Sequence, residues 1–325
     1  MATPNASIGE MLTVTMYKRS KKMADGISKN IPLLRFMKDN QKLVAGGESI
    51  LEEQLFAENP SYQRYAGSEV LNTSQTEQFT AFRFNWKQVA VAVVINGLES
   101  DVQNTGPEQV FDLLEKRIEA AEYTMMNSMA TDVESDGTAD GGKQIGGLGL
   151  LNPSANTSGS VGGIDRGTYT WARNQIFDAS DLGFATLTNS NIQQFYGICF
   201  DGLTRNAEKP TLVYAGGTHF RLYRESLQTI QRIMKVGEGT VDTIGTGLEF
   251  MGVPVVNGGG YQGIANATTT HFLNMNHLFF KTASKRNFVP LKARDSFNQD
   301  ATVRYLAWAG NMTARNLFLQ GHAKP

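Results

Sequence analysis

The sequence predicts a chain that mixes strand and helix in three successive blocks. A long extended segment with a polar interruption comes first, one long helix follows, and a unit of short strands and helices fills the second half. Three observations predict this. Phe82, Phe84 and Trp86 alternate with Arg83, Asn85 and Lys87 at the period of a strand. Val110, Leu114, Ile118, Ala121, Met125 and Met129 recur at helical spacing. Beyond residue 188, helical stripes alternate with short apolar runs.

Taken in order, the first forty-odd residues carry a basic cluster, Lys18, Arg19, Lys21 and Lys22, and scattered apolar residues without sustained period. They are expected to form an arm that packs on something else. After Gly46-Gly47, residues 48–56 can form one strand and residues 79–95 another, ended by the turn signal Asn96-Gly97. A strand over 79–95 would span about 50 Å at ~3.3 Å per residue, far beyond an ordinary strand. The polar stretch 59–76 between them is expected to be the tip of a long hairpin. A hairpin alone is marginal in water, so this one must find a neighbour.

The helix is predicted over about 105–133. Thr105 and Glu108 match a capping box, and Pro107 sits in the first turn, where its missing N–H costs little. Met125, Met126 and Met129 are expected as adaptable core packing. Residues 134–168, rich in glycine, are expected as turns and connections. Ile192, Phe195, Tyr196, Cys199 and Leu203 then form one helical stripe, which makes Cys199 a buried core thiol. A strand at 211–215 leads to a second helix capped by Thr218, with Phe220, Tyr223, Leu227, Ile230 and Met234 on one face. Further strands are expected at 248–256, 271–275, 277–283 and, as one or two strands, within 301–319.

Composition narrows the function. The chain has 325 residues, enough for about two globular units, with 41% hydrophobic and 19% charged residues. Lysine and arginine total 30 against 31 aspartates and glutamates, a formal charge of −1. That total lacks the basic excess of a general electrostatic grip on nucleic acid. One cysteine excludes an intrachain disulfide framework and any multi-cysteine zinc site. No apolar run approaches the ~20 residues of a membrane-spanning helix, and the start has no apolar run of signal-peptide length. A soluble protein made in a reducing cytoplasm is expected.

Catalytic motifs do not emerge. Gly142-Lys143 is followed by Gln144, which breaks a phosphate-binding loop, and Gly245-Thr246-Gly247 does not continue as a dinucleotide fingerprint. His271 and His277 are six apart with no carboxylate at metal spacing, His219 stands alone, and His322 is expected in a frayed tail. No GxSxG elbow is present. Glu52-Glu53 are expected on a solvated face of the projecting strand. No catalytic, cofactor-binding or metal-ligating residue is assigned.

The arm, hairpin and long helix, in that order, resemble the major capsid protein of tailed bacteriophages, the Hong-Kong-97-type family. The segments that carry the resemblance are GGESILEEQLFAEN (46–59), FNWKQVAVAVVINGLE (84–99), PEQVFDLLEKRIEAAE (107–122), GGIDRGTYTWARN (162–174), and RNFVPL (286–291) with NQDATVRYLAWAGNMTARNLFLQG (298–321). Each is moderately specific alone; their order over most of the chain makes the match.

The resemblance implies an α+β fold with an N-terminal arm (1–45), an E-loop hairpin (46–96) and a P-domain (97–187) whose spine helix covers about 105–133. An A-domain (188–283) and C-terminal strands returning to the P-domain (284–325) complete it. It implies assembly into pentamers and hexamers of an icosahedral shell enclosing double-stranded DNA without sequence-specific binding. The virion capsid, assembled in the bacterial host cytoplasm without cofactor or membrane, would be its location. Tyr62, Arg64, Tyr65, Phe82, Phe84 and Trp86 are the expected contacts with a neighbouring subunit. Only about 45 residues precede the E-loop, so a separate scaffolding protein is expected, with a portal and a decoration protein as further partners. The tip 59–76 contains no lysine, and Lys87 is the only one between 47 and 95, so a covalent cross-link through the E-loop is not expected. The alternatives are an encapsulin nanocompartment shell of the same fold and a soluble two-domain hydrolase.

Overall fold

The computed structural model describes residues 32–96, 113–228, 248–259, 266–291, 294–295 and 300–325. Two compact units divide the chain, the larger within 30–87, 130–284 and 310–325, the smaller including 88–129 and 285–309.

The larger unit is built on a six-stranded sheet. Its strands are β7 (Gln175–Asp178), β8 (Leu212–Ala215), β9 (Glu249–Phe250), β10 (Val253–Asn257), β11 (Thr270–Leu273) and β16 (Gly321–Lys324), in the order β7-β16-β11-β8-β10-β9. Every residue of β8 is buried, as a continuous apolar run in a sheet centre requires. Helix α3 (Ile192–Leu203) buries Ile192, Phe195, Tyr196, Cys199, Phe200 and Leu203, one stripe at 3–4 spacing. With Phe220 and Tyr223 of α4 (Gly217–Gln228), this stripe meets Val213, Val255 and Phe272 of the sheet to form the main core. Burial of Cys199 raises its thiol pKa far above the ordinary range, so it stays a protonated, inert thiol. Ile230 and Met234 lie outside the described residues.

Three expectations change here. The strand expected over 248–256 is two strands, because Met251 and Gly252 take φ of 51° and 74° and turn β9 back against β10. His322 does not sit in a frayed tail: β16 is an interior strand, parallel to β7 and antiparallel to β11, and His322 is buried. Residues 33–44, expected within an arm, form helix α1 (Leu33–Asp39) and strand β1 (Gln41–Val44). Leu33, Leu34 and Met37 are buried, and β1 runs parallel to β12 (Leu278–Ala283) with Gln41 opposite Phe280. The basic cluster at 18–22 lies outside the described residues.

The other edge of β12 pairs antiparallel with the end of β15 (Ala301–Ala314), Leu278 opposite Ala314 and Thr282 opposite Gly310. In the smaller unit, the start of β15 pairs with β4 (Lys87–Asn96), β13 (Val289–Pro290) and β14 (Arg294–Asp295). The long helix α2 (Leu113–Glu134) buries Ala121, Met125 and Met129 and leaves Met126 exposed, so the expected stripe faces inward. Its expected start, with Thr105, Pro107 and Glu108, lies outside the described residues.

Candidate assembly interface

The hairpin consists of β2 (Ile50–Leu55) and β3 (Phe79–Phe84), antiparallel, with Ile50 opposite Phe84, Glu52 opposite Phe82 and Leu55 opposite Phe79. Side chains alternate across a strand, so this register puts Ile50, Glu52, Phe82 and Phe84 on one face and Leu51, Glu53, Leu55 and Phe79 on the other. The first four are all buried. The second extended segment does not continue unbroken through 79–95. It splits at Asn85 and Trp86, because β3 pairs with β2 whereas β4 pairs with β15. The break is held from both sides: Asn311 Nδ2 donates to Asn85 O at 2.9 Å, and Trp86 Nε1 donates to Gly47 O at 2.8 Å.

The buried face is anchored by charge and by rings. Glu52, expected on a solvated face, is 1% exposed. Its Oε1 lies 2.7 Å from Lys281 Nζ and accepts the Thr313 hydroxyl at 2.8 Å, while Arg315 Nε stands 3.8 Å from Oε2. A carboxylate leaves water only where such partners replace its hydration, and here two strands of the underlying sheet supply them. Sequence pattern could not show this, because Lys281 and Thr313 reach Glu52 only through the tertiary pairing of β12 with β15. Phe82 packs on Phe84 and on Trp171, whose ring also meets Phe56 and Tyr169. Gly162 closes this cluster: its carbonyl accepts from Arg83 N at 2.8 Å, its φ is +55°, and a Cβ there would stand 2.7 Å from Phe82 Cβ. The turn between β5 (Ser160–Val161) and β6 (Ile164–Asp165) therefore needs glycine to receive the hairpin.

Beyond this base the hairpin is bare. Phe56 N donates to Gln78 O at 3.0 Å, and residues 57–78 contain no strand. Local side-chain turns shape the tip, among them Ser61 N to Asn59 Oδ1 at 2.9 Å and Gln63 Nε2 to Val70 O at 3.2 Å. Leu51, Leu55, Tyr62, Tyr65, Leu71 and Phe79 are exposed, with Tyr62 at 79%, and Val70 is 93% exposed. Single exposed apolar residues are ordinary; here seven large apolar side chains are exposed on one hairpin.

The six expected contact residues thus divide. Tyr62, Arg64 and Tyr65 stand exposed on the tip. Phe82 and Phe84 are buried within the chain, and Trp86 is half-buried with its N–H already bonded to Gly47. Leu51, Leu55 and Phe79 on the outward face, and Val70 in the tip, are further exposed apolar residues outside the six expected; Leu51 and Leu55 alternate with Glu52 and Gln54 in a way that shows one face once the register is known.

No protein-family model and no curated protein matches the chain. Solved structures do. The chain is similar to the capsid protein of cyanophage A-1(L), at 15% identity and a TM-score of 0.64, over 93% of this chain and 94% of that one. It is similar to the capsid of an empty GTA particle at 13% identity and a TM-score of 0.56, over 99% of each chain. The SrpI encapsulin complex of Synechococcus elongatus PCC 7942 matches at 9% identity and a TM-score of 0.57, over 96% of this chain and 94% of that one. Helix and sheet follow the same path through nearly the whole of each chain, so the fold is the α+β, Hong-Kong-97-type fold of capsid shells.

Proposed function

We propose that the chain is the major capsid protein of a tailed bacteriophage and builds an icosahedral shell of pentamers and hexamers around double-stranded DNA. The observation that carries this reading is the bare apolar hairpin on an anchored base, in a chain that shares the capsid-shell fold over nearly its full length. Such surface is stabilised by burial, at about 1.5–3 kcal/mol for each fully covered large side chain. The base is fixed by Glu52 and Phe82, so covering falls to another subunit, and Tyr62, Arg64 and Tyr65 are the contacts nearest the tip. A near-zero net charge suits a container that must hold DNA and release it. The role is structural rather than enzymatic.

A separate scaffolding protein guides closure, a portal occupies one vertex, and a decoration protein supplies added stability, since the lysine-free tip offers no amine for a cross-link. The encapsulin fold match makes a cargo-filled cellular shell the competing outcome. Electron microscopy of particles from cells making the protein with its scaffold decides between them. Shells filled with DNA, or scaffold-lined precursors of them, support the proposal. Small closed shells loaded with enzyme cargo, or a stable monomer at high concentration with scaffold present, overturn it.

A further inference from the structure

The loop that follows helix α2 carries two Asp-Gly steps, Asp136-Gly137 and Asp140-Gly141. Such a step can attack itself: the glycine N–H lies beside the aspartate Cγ, and glycine has no side chain to hinder closure of a five-membered ring. Among the described residues, Asp201-Gly202 and Asn257-Gly258 are the other steps of this kind. Ring closure needs a side chain free to swing over the backbone, a following N–H that is not engaged, and torsions free to change. The structure separates the four steps on these conditions.

Three of them are held. Asp201-Gly202 lies inside helix α3, where the helical ladder engages the glycine N–H and fixes the torsions. Gly258 N donates to Ala215 O at 2.9 Å, and Asn257 Oδ1 accepts from Gly259 N at 2.8 Å, so both reacting groups are engaged. Asp136 Oδ1 accepts Thr138 N at 3.0 Å and the Thr138 hydroxyl at 2.8 Å. These bonds, the backbone one first, hold its carboxyl below the ordinary carboxylate range. The ionised form is the less reactive one, because its oxygen cannot leave as water without gaining protons. Gly137 N donates in turn to Ser135 Oγ at 3.3 Å, and a Cβ on Gly137 would stand 2.9 Å from Gly146 Cα, so this part of the loop is packed.

Asp140-Gly141 is the exception. Both residues are exposed, and among the described residues neither the Asp140 carboxyl group nor Gly141 N makes a hydrogen bond. Both take the left-handed region, Asp140 at φ 53° and Gly141 at φ 66°. That region is a shallow well for a residue with a side chain, so little holds Asp140 in it. Nothing stands within 4 Å of a Cβ built on Gly141, which leaves room for the backbone to turn.

We infer that Asp140-Gly141 is a spontaneous modification site, at which the chain isomerises with age to an isoaspartyl linkage. Gly141 N attacks Asp140 Cγ. The N–Cγ bond forms as a Cγ–Oδ bond breaks, and that oxygen leaves as water with the Gly141 amide proton and the carboxyl proton. A water molecule then opens the succinimide. Attack at Cγ restores aspartate; attack at the former main-chain carbonyl leaves the chain running through Cγ, with no net change in mass. The product adds one carbon to the backbone of the loop whose Gly142 carbonyl accepts Lys87 Nζ, at the start of β4.

The test is to hold the full-length protein at physiological pH and temperature for several weeks in oxygen-18 water, digest it in ordinary water, and sequence the peptides by electron-transfer mass spectrometry. The tryptic peptide 118–143 carries both Asp-Gly steps of the loop, so Asp136 is the internal control. Isoaspartate and heavy oxygen should accumulate at Asp140, with roughly tenfold less at Asp136, the rate equivalent of about 1.4 kcal/mol of barrier. In concentrated urea the two steps should age at similar rates, because the ties at Asp136 exist only in the fold. Asp140→Glu, which would need a six-membered ring, should remove the signal at 140 and leave Asp136 as it was. No isoaspartate at Asp140 in the folded protein, as much or more at Asp136, or the same preference for Asp140 in urea overturns the inference. None of these outcomes depends on whether shells form.

Discussion

Glu52 Oε1 lies 2.7 Å from Lys281 Nζ, an ion pair between the base of the hairpin and a strand of the sheet beneath it. With the carboxylate 1% exposed, removing one partner leaves the other desolvated and unpaired, which typically costs about 3–5 kcal/mol. Glu52→Ala should lower the denaturant midpoint accordingly. The paired change Glu52→Leu with Lys281→Met should recover most of that loss, because an apolar pair has no charge to desolvate. A Glu52→Ala variant as stable as the parent would show that the pair is not what seats the hairpin.

Gly162→Ala tests the aromatic side of the same anchor. Its φ of +55° disfavours any side chain, and the new methyl would collide with Phe82 at 2.7 Å. Strain of about 1–3 kcal/mol follows from the backbone alone, and repacking of Phe82 and Trp171 adds to it. Gly163, at φ +81° but with no atom within 4 Å of its added Cβ, is the control. Gly163→Ala should cost the backbone term only, and the difference between the two melting curves measures the hairpin contact.

The parts of this molecule that were legible in the sequence are those set by local periodicity. The stripe Ile192–Leu203 reads as one buried helix face because each apolar residue is three or four from the next, and the structure buries it so. Met125 and Met129 followed the same rule. The strand break at Asn85–Trp86 was invisible, since Phe82 to Ile95 remains β-prone throughout and only the change of pairing partner, from β2 to β15, divides it. Glu52 looked like a solvated acid because nothing near it in sequence is a counter-ion. His322 looked like an end residue because its partners, His271 and Asn152, are 51 and 170 positions away. Long-range pairings decide burial of polar groups, and a single sequence records no such pairing.

Those histidines fix how stability responds to acid. Burial holds His219 down at about 4 and His271 at about 3, and lowers His322 as well. In each case the folded value lies below the unfolded one near 6.5, so the unfolded chain binds more protons between them. Stability from these groups is present above pH 6.5 and lost as pH falls toward 3 to 4. Glu134 works oppositely: its carboxyl, raised from 4.5 to about 7, favours the fold at low pH and loses that contribution as pH rises through 7. His219 and His271, with His322 acting in the same direction, outweigh one carboxyl between pH 4.5 and 6.5, at roughly 1.4 kcal/mol per proton per pH unit. Urea midpoints measured on unassembled protein should therefore peak near pH 6.5 and fall at pH 5. A His219→Gln variant should show a shallower acid limb, and an unchanged limb would exclude His219 from the effect.

The hairpin tip carries the last prediction. Tyr62 and Tyr65 are 79% and 63% exposed, so replacing both with serine removes no packing from the isolated chain. Surface changes of this kind usually stay within about 0.5 kcal/mol of the parent, and the melting temperature should barely move. Assembly is another matter under the proposed function. Buried aromatics carry much of the energy of an interface, and truncating one commonly costs more than about 1 kcal/mol. A closed shell repeats the contact in every subunit, so a small loss per contact shifts the balance between free capsomers and shells steeply. Particle counts by electron microscopy and sedimentation, beside circular dichroism, should show a folded Tyr62→Ser, Tyr65→Ser protein that no longer closes shells. Replacing 59–76 with a short turn should do the same more severely, because the exposed tip removes Val70 and Leu71 with it while Glu52 and Phe82 stay seated. Normal shells from the shortened chain would mean that subunits hold one another through a different surface.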